Sequence, residues 1–316
     1  MTPLNLNYQQ KQAALKTLAA LSDIDDERSP HETAFLEVVA EFVGATAPLP
    51  EPCGGAQPPD DLASIIAEPE HRTLLVQGLI VLAMMDAEVT ADEVAYIRAV
   101  AGALGVVEPR LRFIELYSKG HRVWLQGEVP MRSEMIQNKF KEAWDSKGLL
   151  GVLELATLPM GLIECKDLQE KYDELGSYPL GTLGRAYFDH MQSKGYNFPG
   201  HKKAFPEVLV VHDLTHILAG FDTDPTGECE VISFIAGYIK ADPFWYIFMI
   251  LLHMHLDLEV FYGDATARLA GDPRRMADAF ARGLKVNTDL YDRWDFWVDF
   301  PLPLDDVREK YNIVPA

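Results

Sequence analysis

Cysteine is scarce: Cys53, Cys165 and Cys229 are the only three in 316 residues, far apart and without a CxxC pair. That argues against a disulfide framework and against a cysteine-built zinc site, and makes a reducing cytosol the default compartment. Positive charge is scarce too, with 28 Lys and Arg against 48 Asp and Glu, a formal charge of −20. Nucleic-acid backbones and anionic lipid are gripped by cationic side chains, so no nucleic-acid partner is expected, nor loose electrostatic adhesion to lipid. No apolar run approaches the ~20 residues of a membrane-spanning helix. The opening Met1-Thr-Pro-Leu-Asn-Leu-Asn7 lacks a basic segment followed by an apolar one, so no signal or transit peptide is expected. What remains is an ordinary globular composition, 48% hydrophobic and 24% charged. The length suffices for one large or two modest domains with a real core.

The N-terminal third repeats itself at an offset of 61. Ser29-Pro-His-Glu32 followed by Ala34 to Gly44 lines up with Thr90-Ala-Asp-Glu93 followed by Ala95 to Gly105, and Asp25 falls on Asp86. Each copy reads as a helix, an acidic turn, a capping box and a second helix ending at glycine. A proline-rich tract between Ala47 and Asp60 separates the copies. The second copy, Leu82 to Glu93, resembles the helical module of the TerB-like tellurite-resistance family. That resemblance implies an interaction or stabilising domain, and in some members a cation held by residues such as Asp86, Glu88, Asp92 and Glu93. Solvated acidic turns and helix caps account for the same residues without an ion.

The chemistry is concentrated between His212 and Glu228. On a helix His212 and His216 stand one turn apart on the same side, with Asp213 about 100° further round. Gly220 suits the helix end. A polar turn from Asp222 to Gly227 leads to a second helix, expected to open at Glu228. There Val231, Ile232, Ile235 and Ile239 form an apolar stripe that includes Glu228 and leaves Glu230 pointing away. A carboxylate facing a core costs several kcal/mol unless its charge is compensated. His212, Asp213, His216 and Glu228 therefore form a candidate site for a divalent metal ion. Zinc comes first, with iron, manganese and, less naturally beside two histidines, magnesium also open. Against this stands a plainer reading, two polar surface histidines and a glutamate capping a helix.

Elsewhere, Leu149 to Pro159 reads as helix, Thr182 caps a helix running to about Lys194, and Asp242-Pro243 and Asp272-Pro273 start two more. Phe244 to Leu252 is apolar all round, so that helix is sandwiched in a core or faces something oily. His253 and His255 point apart and read as core or pocket histidines. Arg268, Arg274, Arg275 and Arg282 could fork onto an anionic head group or form ordinary salt bridges. The whole reads as an all-α fold of two helical domains, residues 1–129 and 130–316.

His-Asp-x-x-His, eleven residues, then Glu resembles the signature of the Coq4 family of ubiquinone-biosynthesis proteins. Two flanks look like that family as well: Leu180-Gly-Thr-Leu-Gly-Arg-Ala-Tyr187 and the closing stretch from Trp294 to Arg308. The resemblance covers residues 130 to 316; the fused N-terminal unit departs from it. It implies a bound divalent metal ion and a hydrophobic groove for a polyprenyl quinone precursor or other isoprenoid lipid. It further implies replacement of the ring C1 carboxyl by hydroxyl; in an enzyme of that kind one ligand carboxylate, Glu228 or Asp213, is the candidate catalytic group that swings off to move a proton. Scaffolding among other quinone-biosynthesis proteins, a peripheral site at the inner membrane surface of the cytoplasm and a homodimer are implied too. Two rivals remain: a non-catalytic lipid-binding scaffold with a structural metal, and a histidine–aspartate hydrolase, which asks for more ligands than this chain offers.

Overall fold

The computed structural model describes residues 6–24, 28–45, 48–50, 57–85, 88–122, 124–125, 165–202, 204, 207–256 and 271–316. Its helices are α1 (Tyr8–Ser22), α2 (Pro30–Phe42), α3 (Leu62–Ile65), α4 (Pro69–Ala83), α5 (Ala91–Leu104), α6 (Leu111–Ser118), α7 (Lys166–Asp173) and α8 (Leu183–Lys194). There follow α9 (Val210–Ala219), α10 (Pro225–Tyr238), α11 (Pro243–Leu256), α12 (Pro273–Gly283), α13 (Leu290–Arg293), α14 (Phe296–Asp299) and α15 (Leu304–Tyr311). Among the described residues there is no strand, only an isolated bridge between Thr182 and Pro303. The fold is all-α. None of the described helices is long and apolar enough to cross a membrane. Asp25, Cys53, Asp86, Arg268 and the expected helix from Leu149 to Pro159 lie outside the described residues.

The chain forms two compact units. One is Met1–Val129 with Asp224–Ser233 and Phe244–Ala279; the other is Pro130–Thr223 with Phe234–Pro243 and Phe280–Ala316. Helix α11 groups with the N-terminal helices. The reason is its composition, since a helix apolar on every side needs neighbours on every side. Phe113 on α6 supplies one, with ring centroids 6.4 Å from Trp245 and 5.9 Å from Phe248. The Arg110 guanidinium lies over Phe244.

In the first unit both expected capping boxes form. Ser29 Oγ accepts from the Glu32 N–H at 3.1 Å while Glu32 accepts from the Ser29 N–H at 2.7 Å. Thr90 and Glu93 repeat the exchange at 3.2 and 2.7 Å, and Glu93 also accepts from the Thr90 hydroxyl. The cap reading thus accounts for the buried Glu93. Gly44 and Gly105 end the two second helices at φ of 62° and 66°, a backbone that costs glycine little. The Tyr96 hydroxyl donates to the Thr17 carbonyl and ties α5 to α1. His255 is a core histidine: its Nε2 meets the Met84 carbonyl at 3.0 Å and its ring stands edge-on to Tyr117. His253 is buried as well, and burial pushes its pKa down to about 4, so it is neutral at physiological pH.

Aromatic rings build the core of the second unit. Tyr172 has its ring 4.7 Å from Trp297 and 6.0 Å from Tyr187, which stacks on Phe300 at 5.9 Å. Beneath them Asp299 is fully buried and accepts from Trp294 Nε1 at 2.7 Å, the Lys310 ammonium at 2.7 Å and the Tyr311 hydroxyl at 2.6 Å. Burial alone would raise this carboxyl, but the three donors hold it below its ordinary value of 3.8. Its stabilising contribution is therefore complete above the unfolded-state value and lost as pH falls through the lower folded one. Asp299→Asn should cost about 2 kcal/mol at neutral pH, because an amide accepts these charge-assisted bonds more weakly. Urea unfolding at pH 7 and below pH 4 checks this: the deficit should shrink in acid, and a constant deficit would sink the assignment.

Candidate metal centre

Helix α9 is buried on nearly every face. Leu214 and Leu218 are 0% and 1% exposed, as its apolar stripe requires, but His212 and His216 are buried too, at 5% and 3%. The reading of these rings as polar surface groups therefore does not hold. Gly220 terminates the helix in the left-handed region at φ 76°. This reversal brings the next residue back over the last turn, where the Phe221 N–H donates to the His216 carbonyl at 3.1 Å.

Helix α10 opens at Pro225, three residues before the expected start at Glu228. Asp224 caps it, with Oδ1 accepting from the Gly227 N–H at 2.7 Å, and proline takes the first position, where its missing N–H costs nothing. This is the Asp-Pro signal that starts α11 and α12, here hidden in a stretch read as turn. Glu228 consequently sits within the first turn, where the helix dipole favours a carboxylate, and it is 4% exposed. Glu230 points elsewhere, into a forked pair with Arg275 at 3.0 and 2.6 Å.

Three ligand-type side chains from α9 and the first turn of α10 come together. His212, His216 and Glu228, all buried, each offer one ligand atom, and these atoms lie within 4.8 Å of one another. The two Nε2 atoms are 3.2 Å apart. Two ring nitrogens stand about this far apart when both bind one ion at about 2.0–2.1 Å. His216 Nδ1 faces the Phe221 carbonyl at 3.3 Å. As a carbonyl only accepts, this contact puts the ring proton on Nδ1 and leaves the Nε2 lone pair for a cation. Two imidazoles and a carboxylate are a donor set that zinc accepts with a fourth position open. The residues present fit a divalent ion, and among the described residues this is the one such grouping.

Asp213 is not part of that set. It is buried at 9% exposure, and its charge acts on the hydroxyls of Tyr172 and Tyr291. Burial first, and Asp213 with it, pushes Tyr291 up to about 12, and burial with Glu207 and others raises Tyr172 further. Both phenols therefore stay protonated and able to donate. Tyr172 donates to Glu207 at 2.9 Å, and Trp297 Nε1 donates to the same oxygen at 3.1 Å. His190 on α8 also approaches, its ring stacked near that of His216 at 6.2 Å. Neither His190 nor the tyrosines carried a spacing signal, as they arrive from helices far away in sequence.

Two of the arginines, Arg274 and Arg275, take the salt-bridge alternative, and Arg282 does not. Arg274 pairs with Glu37 and Glu41, Arg275 with Glu230, and Arg282 donates to backbone carbonyls. The two flanks of the motif meet each other. Leu183 and Gly184 donate their N–H groups to the carbonyls of Leu302 and Phe300, and Leu304 donates to Gly181. Arg308, from the second flank, reaches the carbonyls of Ile217 and Leu218 on α9. In sequence comparisons the chain matches no protein-family model and no curated protein.

Proposed function

We propose that this protein holds a divalent cation, zinc first among the candidates, on His212, His216 and Glu228. We propose further that it serves quinone biosynthesis as a Coq4-like protein acting on a prenylated aromatic acid. The observation that supports this best is the buried triad at the HDxxH…E spacing. A bound divalent cation would supply Lewis-acid stabilisation for charge on a ring carboxylate or phenolate. The chain's own residues do the rest. His216 is oriented by the Phe221 carbonyl. Asp213, outside the triad but buried on the same helix next to His212, is the carboxylate assigned to moving a proton. The expected setting is the cytoplasm, peripheral at the inner membrane surface, beside other quinone-biosynthesis proteins, with the TerB-like helices as an interaction unit.

One feature favours a second reading, a lipid-binding scaffold with a structural metal: the ligands come from two consecutive helices, which an ion would staple. Alanine at His212 separates the two. Metal content and bound prenyl lipid are read by native mass spectrometry of protein purified from cells, and decarboxylation of a prenylated hydroxybenzoate is assayed in parallel. Loss of decarboxylation with the lipid retained and the fold intact supports the enzyme. Decarboxylation absent from the wild type, with lipid bound, supports the scaffold. Wild-type protein carrying neither metal nor prenyl lipid defeats both.

A further inference from the structure

The last four carbonyls of any α-helix lack intrahelical donors, and helix ends fray. In α9 all four are taken. The His216 carbonyl accepts from the N–H groups of Gly220 and Phe221 at 2.9 and 3.1 Å. Ile217 and Leu218 accept from Nη2 and Nε of Arg308, both at 3.0 Å. Ala219 accepts from Nη2 of Arg282 at 2.7 Å and from the Ala316 N–H at 2.8 Å. Two guanidinium groups, brought from α12 and α15 across 63 to 91 residues of sequence, thus close the end of the helix that carries both histidines.

Arg282 does more than cap. Its guanidinium lies 4.7 Å from the centroid of the Phe221 ring, while Nε and Nη2 hold the Val314 carbonyl at 3.0 and 2.7 Å. Phe221 is the residue whose carbonyl meets His216 Nδ1. One rigid fork therefore grips the helix end and the ring of the residue that orients the ligand histidine. A lysine would keep the charge but cannot stack flat on Phe221 and reach two carbonyls together.

We infer that Arg282 and Arg308 are positioning residues for the metal centre, a two-arginine clamp that fixes the last turn of α9 and, through Phe221, the ring orientation of His216. The inference rests on the metal reading proposed above. The clamp acts at a distance from the ion and touches no ligand atom itself. Its removal should loosen the bite of the two imidazoles without removing any of the three donors.

Cobalt(II) titration of the full chain, followed by visible absorption, tests this on the wild type, Arg282→Lys, Arg308→Lys and Phe221→Leu. Arg274→Lys, whose partners are Glu37 and Glu41, serves as control. The wild type and the control should bind one ion with the same affinity and spectrum. Arg282→Lys and Arg308→Lys should each bind several-fold more weakly, short of the roughly tenfold or greater loss that follows removal of a ligand's own hydrogen-bonding partner. Their ligand-field bands should be altered too. Phe221→Leu keeps the carbonyl but removes the ring beneath the guanidinium, so it should shift affinity the same way by less. If Arg282→Lys does not fold, Arg308→Lys and Phe221→Leu carry the test. Wild-type affinity and spectrum in the folded variants overturn the clamp, even where their thermal midpoints fall. A wild type that binds no cobalt overturns the metal reading itself, and the clamp with it.

Discussion

Stripping divalent metal with a chelator is expected to lower the thermal midpoint by roughly 5 to 10 °C, and adding zinc back should restore it. A ligand that binds only the folded chain stabilises it by about 2.7 kcal/mol at a hundred times its dissociation constant. For chains of this size each kcal/mol is worth roughly 2 to 4 °C. The increment should vanish in His216→Ala, which deletes one of two nitrogen donors standing 3.2 Å apart. Glu228→Gln separates the charge from the space it fills. It should also abolish the metal increment, yet leave the metal-free protein at least as stable as the wild type, because a buried amide costs less than a buried carboxylate. Differential scanning calorimetry on metal-free and zinc-loaded samples of all three proteins reads both effects. A midpoint indifferent to zinc in the wild type would count against the site, whatever the variants did.

Much of this centre was legible because its main signal is local. The i, i+4 spacing puts two histidines on one side of one helix, and the stripe of Val231, Ile232 and Ile235 locates Glu228 on a buried face. Capping chemistry was equally readable, since Ser29 with Glu32 and Thr90 with Glu93 act within four residues. The start of α10 was missed for a different reason. Asp224-Pro225 stands among turn-forming residues, and the turn reading masked a cap that the same dipeptide announces at 242–243. Asp213 belongs to the HDxxH…E pattern although it stands about 100° round the helix from His212, and it lies outside the triad whose ligand atoms converge, with its charge felt at Tyr172 and Tyr291. His190 and the two clamping arginines had no periodicity to betray them. Their contacts depend on the packing of whole helices, which a single sequence does not encode as spacing. The neighbours of α11 were open for the same reason: its composition demanded contacts all round without saying that Phe113 would supply them.

Alanine at Gly283 should be among the most damaging small substitutions in the chain, costing about 3 kcal/mol or more. Helices α10 and α12 touch backbone to backbone where Gly237 faces Gly283. A Cβ at Gly283 would stand 2.0 Å from the Phe234 carbonyl oxygen, and one at Gly237 would stand 2.5 Å from the Phe280 oxygen. Neither obstacle is a side chain that can swing aside, so the helices must part. Arg282 is the residue next to Gly283, and displacing it draws the fork away from the Ala219 carbonyl. The variant should therefore lose cobalt affinity as well as stability, and the two losses should appear together. Gly102 on α5 provides the opposite case. A Cβ there meets nothing within 4 Å, and alanine in a helix saves roughly 0.5–1 kcal/mol of backbone entropy. Gly102→Ala should thus raise the midpoint while leaving cobalt binding untouched. Measured side by side by thermal melts and metal titration, the same chemical change should move stability in opposite directions at the two sites. A mild, metal-neutral effect at Gly283 would mean that α10 and α12 do not meet as closely as these distances require.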